Sequence, residues 1–186
     1  MKSIKNSFLF FCFLTTFFCS KHLKAQPPKD SIDHYYNLYI KATESTDFKK
    51  VYNFYSRTKE AYLQKKDTLR AIYHIRILAS IENKIGQPYN SELTASNGLE
   101  LLDNLPVNRN TTGAKIGLLN HLGIVYFQLK NYDKALYYYK KVLEIVQSDA
   151  QRNVISNNIA NTYRKKKNYE LAFDEFNELY QRRLKS

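Results

Sequence analysis

Two stretches of this chain repeat each other at an interval of 37 residues. The first reads Leu119-x₂-Leu122-Gly123-x₂-Tyr126, then Ala135-x₃-Tyr139. The second reads Ser156-x₂-Ile159-Ala160-x₂-Tyr163, then Ala172-x₃-Phe176. Nine residues separate tyrosine from alanine in both, and Lys130-Asn131-Tyr132 recurs as Lys167-Asn168-Tyr169. A fixed period of this length decides architecture before any local signal does. It describes a unit of two antiparallel helices that cannot bury its faces alone and must stack on its neighbours.

The first 25 residues read as a separate segment. Lys2 and Lys5 form a basic start, and Phe8 to Cys19 is an apolar run broken only by Thr15 and Thr16. A polar stretch follows and ends at Leu23-Lys24-Ala25. That order is a secretory signal peptide, with cleavage expected after Ala25. An uncleaved anchor or a buried N-terminal helix is the alternative. The run is shorter than the roughly 20 residues a spanning helix needs. Cleavage removes both cysteines, Cys12 and Cys19, and leaves neither disulfide nor thiolate metal site. It also removes four lysines and no acids, so the net charge falls from +12 to +8. The 161 residues left, 186 less 25, are enough for one apolar core.

After a short leader, 26–29, the chain reads as helix throughout. Breakers are scarce, with five Gly and four Pro in the whole sequence. Apolar spacing places eight helices over about 30–43, 48–65, 69–84, 89–102, 114–129, 133–147, 150–166 and 170 to the end. Asp30 or Ser31 is the expected cap of the first, and Asp67-Thr68 of the third. Residues 44–47 read as a turn. Residues 103–113, with Pro106 and three Asn, read as the longest loop. Gly98 weakens the fourth helix unless a neighbour packs against its backbone.

The repeated residues resemble the tetratricopeptide repeat, whose signature is Trp-x₂-Leu-Gly-x₂-Tyr, then Ala-x₃-Phe, then Pro. The first copy keeps Leu122, Gly123, Tyr126 and Ala135, with Tyr139 for Phe, Leu119 for Trp and Gln147 for Pro. The second is looser, with Ser156, Ile159 and Ala160 at the Trp, Leu and Gly positions. The first half carries weaker echoes, at spacings of about 40, 44 and 37 from Tyr39 to Ala79, Gly123 and Ala160. Ser91 stands where its repeat would have alanine. The resemblance implies an all-α fold, an α-solenoid of about four helix pairs over 30–186 in a right-handed superhelix. The clearest repeats are 114–147 and 150–184.

In that family the first helix of each pair lines a concave surface that holds a partner peptide. The matching positions here include Gly117, Asn120, Ile124, Phe127 and Gln128, then Asn157, Asn161 and Arg164. Asn157, Asn161 and Arg164 share one helix face. Amides beside a guanidinium suit a peptide backbone and an acidic group. The plainer alternative is a solvated polar face whose Asn side chains bond nearby backbone. The basic runs Arg164 to Lys167 and Arg182 to Lys185 read as a solvated turn and a helix end suited to cations.

Catalytic patterns are missing from the sequence. His34, His74 and His121 fall in separate segments, and no phosphate-binding glycine loop or Gly-x-Ser-x-Gly occurs. No cofactor or metal is expected, and nucleic acid does not suit an exported chain. The expected function is an exported scaffold, periplasmic or secreted, that binds a protein or peptide. The alternative is an extracytoplasmic input module of a bacterial signal-transduction regulator, truncated or stand-alone. After cleavage no stable membrane span is expected. No polar capping helix follows Tyr180, which leaves self-association through the last repeat open.

Overall fold

The computed structural model describes residues 29–41 and 45–184, so the expected signal segment and most of the leader lie outside the described residues. The described residues form eight helices and no strand: α1 (Lys29–Lys41), α2 (Ser45–Gln64), α3 (Thr68–Lys84), α4 (Pro88–Asp103), α5 (Arg109–Gln128), α6 (Tyr132–Ile145), α7 (Asp149–Lys165) and α8 (Tyr169–Leu184). Each packs on its neighbour in sequence, and α3 also touches α5. Odd-numbered helices therefore form one layer of an α-solenoid and even-numbered helices the other.

The recurrent Lys-Asn-Tyr has a local physical cause. A helix stops cleanly when the residue after its cap turns left-handed and the last N–H groups fold back on orphan carbonyls. Lys130 does this at φ 59° and Lys167 at φ 64°. The Lys130 N–H bonds the Phe127 carbonyl at 3.0 Å, and the Asn131 N–H bonds that of Tyr126 at 2.9 Å. Asn131 then caps the next helix, its side chain accepting from the Lys134 N–H. Lys167 and Asn168 repeat the arrangement with Arg164 and Tyr163. So do Gly86 and Gln87 between α3 and α4, and Lys66 and Asp67 between α2 and α3. Four connections thus share one turn, although only one of them carries the glycine that φ favours.

The remaining connections correct the sequence reading. The helix expected from 114 begins at Arg109, and the loop over 103–113 shrinks to 104–108. Asn108, read as part of the irregular stretch, is the cap. Its side chain accepts from the N–H groups of Asn110 and Thr111, while the Thr111 hydroxyl accepts from the Asn108 N–H. That reciprocal box satisfies donors which would otherwise oppose a helix start. Likewise α2 begins at Ser45 rather than 48, so the turn over 44–47 is mostly helix. Lys29 belongs to α1 rather than to the leader, and Asp30 and Ser31 lie inside that helix rather than capping it.

Small residues set how closely helices approach. A Cβ on Gly123 would overlap Cε1 of Tyr139, so the ring of α6 rests directly on the α5 backbone. Ala135 and Ala160 are fully buried at the other close approaches. Gly98 has the same role in α4, where a Cβ would meet Ile75 at 3.0 Å and Leu118 at 3.1 Å. The core follows in three linked clusters. One centres on Tyr55 and Ile81, one on Leu118 and Leu122, and one on Tyr139, Val142 and Ile159.

The turn yields a test. An L-residue held left-handed costs about 1 kcal/mol that glycine does not incur. Lys130→Gly is therefore expected to raise stability by about 1 kcal/mol, while Lys130→Ala is not. Urea denaturation of the two variants checks this. Equal midpoints would show that the turn carries no strain.

Candidate functional site

Sideways contacts join the odd-numbered helices on their common face. The Tyr39 hydroxyl of α1 meets Ser80 Oγ of α3 at 2.6 Å. The Arg76 side chain of α3 crosses α5 at Gly117, where an added Cβ would lie 2.8 Å from Arg76 Cδ. The Asn158 amide of α7 donates to Asn120 Oδ1 of α5 at 3.2 Å. Between α1, α3 and α5 this face opens into a cavity of about 260 Å³. Its walls hold Tyr36, Tyr39 and Ile40 from α1, Arg76, Ile77 and Ser80 from α3, and Gly117, Asn120, His121 and Ile124 from α5.

Among the described residues the lining has one permanent charge, Arg76, and no acidic side chain. No ion pair joins the Arg76 guanidinium to an acid among the described residues. Asn120 uses its oxygen on Asn158, which leaves its two amide protons as donors. Tyr39 is held from two sides, by Ser80 and by the Lys84 ammonium 4.3 Å from its ring centroid. The outcome is a fixed, electropositive, partly apolar recess.

His121 forms the floor rather than a reactive group. The Ser91 hydroxyl donates to the Ala79 carbonyl at 2.7 Å and lies 2.7 Å from His121 Nε2. Having one proton, committed to the carbonyl, the hydroxyl accepts from Nε2–H. Ser91, at the position its repeat would fill with alanine, thereby ties α3, α4 and α5 together at zero exposure. Burial, and next the Arg76 charge, push the His121 pKa down to about 4. Burial also lowers that of His74, whose Nδ1 bonds the Arg70 carbonyl at 2.8 Å.

Of the positions expected to bind, the structure brings Asn120 and Ile124 into the cavity together with Gly117. Phe127 is half-buried against the core and against Tyr132, with ring centroids 5.8 Å apart. Gln128 is exposed. Asn157, Asn161 and Arg164 lie on α7, apart from the cavity lining. The Asn161 amide donates to the Asn157 carbonyl at 2.8 Å, and Arg164 donates to Asn161 Oδ1 at 3.0 Å. That is the local backbone bonding of the plainer alternative, with a guanidinium added.

Sequence reasoning missed Arg76, Tyr36, Ser80 and Ile40, although its own spacings locate them. Steps of 40, 44 and 37 carry Tyr36 to Arg76, Asn120 and Asn157, and Ile40 to Ser80, Ile124 and Asn161. The first three members of each series line the cavity.

Residues 116–185 match a family model described as Tetratricopeptide repeat. No curated protein matches the chain. Among solved structures, the crystal structure of BtubC (BKLC) from P. vanneervenii is similar, with a TM-score of 0.59 at 22% identity. The match covers 73% of this chain and 57% of that one, so the chain spans little more than half that protein's length. At this identity the likeness shows a shared fold.

The depressed histidine makes a pH prediction. Its folded pKa of about 4 lies below the ordinary 6.5, so the unfolded chain binds a proton that the folded chain refuses. Stability is therefore intact above 6.5 and falls as the pH drops toward 4, by on the order of 3 kcal/mol for this group. His74 acts in the same direction. His121→Gln keeps an N–H for Ser91 without a titrating ring, and is expected to flatten that slope. Denaturation midpoints across the interval decide it, and an unchanged slope would clear His121.

Proposed function

Residues 116–185 belong to the tetratricopeptide repeat family of protein-interaction scaffolds, and on that premise we propose that this chain holds a peptide segment of a partner protein in the α1/α3/α5 recess. Arg76 pairs with a carboxylate of that segment. The observation that carries this reading is the Arg76 guanidinium, which has no ion-pair partner and no acid beside it in the recess among the described residues. Charge-assisted pairs with guanidinium are among the stronger polar contacts. The Asn120 amide protons suit a peptide carbonyl, and Ile40, Ile77 and Ile124 suit an apolar side chain beside the acid. The recess has the volume of a side chain rather than of a folded partner, so the rest of the segment runs along the face. Phe127, Gln128, Asn157, Asn161 and Arg164 extend that face along α5 and α7.

Selection from a displayed random-peptide library followed by affinity measurement tests this. Selected peptides are expected to share an acidic residue or a required C-terminal carboxylate. Arg76→Gln is expected to weaken them by about 10- to 100-fold, the worth of one charged hydrogen bond. The combined Asn157→Ala and Arg164→Ala change is expected to cost less. Peptides without acids, or peptides indifferent to Arg76→Gln, would overturn the reading.

We place this scaffold outside the cytoplasm. Support comes from the order of residues 1–25: basic start, short apolar run, and small residue Ala25 at the end. N-terminal sequencing of protein made in a bacterial host is expected to begin at Gln26 in an exported fraction. Retention of Met1 in the cytosol would oppose it.

A further inference from the structure

A second surface lies on α8, away from the recess. Tyr169, Phe173, Tyr180 and Leu184 are 66%, 69%, 58% and 64% exposed. At 3.6 residues per turn they occupy one arc of about 60°. This arc flanks the buried side of α8, where Ala172 and Leu179 pack on α7. The 37-residue register says what the arc is shaped for. Phe173 is the counterpart of Leu136 on α6, which is only 7% exposed, and Tyr180 is the counterpart of the partly buried Leu143. On α6 these positions are covered, since Leu136 shares a core cluster with Ile155 and Ile159 of α7. The equivalent face of α8 has no cover among the described residues.

We infer that a second copy of this chain covers it, α8 against α8 in antiparallel sense about a two-fold axis. The spacing of the stripe is the reason. Its steps of four, seven and four residues read the same in both directions. A two-fold axis at Phe176 and Asn177 therefore sets Tyr169 opposite Leu184 of the other copy, and Phe173 opposite Tyr180. Such self-complementarity is what an isologous dimer requires. Glu170, Asp174 and Glu178 fall outside the arc, so the seam itself is uncharged. Side chains of this size, each more than half exposed, cover roughly 1,000 Å² across two copies. That sits at about the threshold of a specific interface, so the dimer is expected to be reversible. The same axis sets Glu170 opposite Arg183 of the other copy at each edge of the seam, both of them exposed. Exposed pairs of this kind contribute little and are screened by salt, so the apolar seam carries the dimer and it persists as ionic strength rises.

Sedimentation equilibrium of the chain over a range of concentrations, at low and high salt, tests this. A reversible dimer that persists at high salt is expected. Phe173→Glu alone and Tyr180→Lys alone are each expected to weaken it at least about tenfold. Combined in one chain they are expected to recover part of the loss, because the axis sets each position 173 against position 180. Both positions are exposed, so circular dichroism and thermal midpoint are expected to hold. A chain monomeric throughout overturns the inference, as does a dimer indifferent to both variants or one without recovery in the double variant. Association that needs an added acidic protein and weakens with salt also overturns it, in favour of that partner. Peptide binding in the recess is unaffected by either variant, so the two proposals fail separately.

Discussion

The contact between Gly123 and the Tyr139 ring sets the distance at which a helix pair in this chain can close. With no Cβ at 123, ring atoms reach the α5 backbone, and α6 lies flat along it. Everything stacked on that pair inherits the spacing. Tyr126, three residues on, turns its hydroxyl to Glu92 of α4 and its ring face to Tyr138, 5.4 Å away and nearly parallel. Close approach within one pair thus places an aromatic residue that locks the pair to its predecessor. The same step is weaker in the next unit, where Ala160 replaces the glycine and Phe176 is only half-buried.

Distance alone does not fix direction, and the left-handed turns supply that. Lys66, Gly86, Lys130 and Lys167 reverse the chain through one hydrogen-bond pattern, so the helices they join leave at a similar angle. Repetition of the same angle and distance is what makes a solenoid rather than a bundle. A solenoid of this kind brings positions of one register side by side on the inner layer. The recess is a consequence of that stacking: Tyr36, Arg76 and Asn120 are neighbours because they are the same position in successive units.

The period made the second half legible, and its Lys-Asn-Tyr marked turns whose geometry the structure then explained. Other features were hidden for physical reasons. Asn108 lies in a segment whose composition is that of a loop, but asparagine caps helices for the same reason it populates loops: its short side chain bonds nearby backbone. Composition cannot separate those uses; the Thr three residues later can, through the capping box. Arg76 was hidden because the first-half repeats keep the spacing of small and large residues but not their identities. Ser91 replaces an alanine, and the interval lengthens from 37 to 44. His121 looked isolated because its partners, Ser91 and the Ala79 carbonyl, lie on two other helices.

One register position takes three different side chains over its four sites in this chain: Tyr36, Arg76, Asn120 and Asn157. The neighbouring register behaves otherwise, with buried Ala79, Gly123 and Ala160 at its last three sites. The difference follows from packing. A position where helix backbones nearly touch admits only small residues, whatever the ligand. A position that faces the open recess is limited by nothing inside the fold, so its chemistry is free to answer to what lies outside. Within the recess that freedom has produced an aromatic ring, a cation and an amide in a row, without an acid. In the proposed reading the row, rather than any one unit, is therefore the recognition element. Its order along the solenoid would give a bound segment a direction as well as a charge preference.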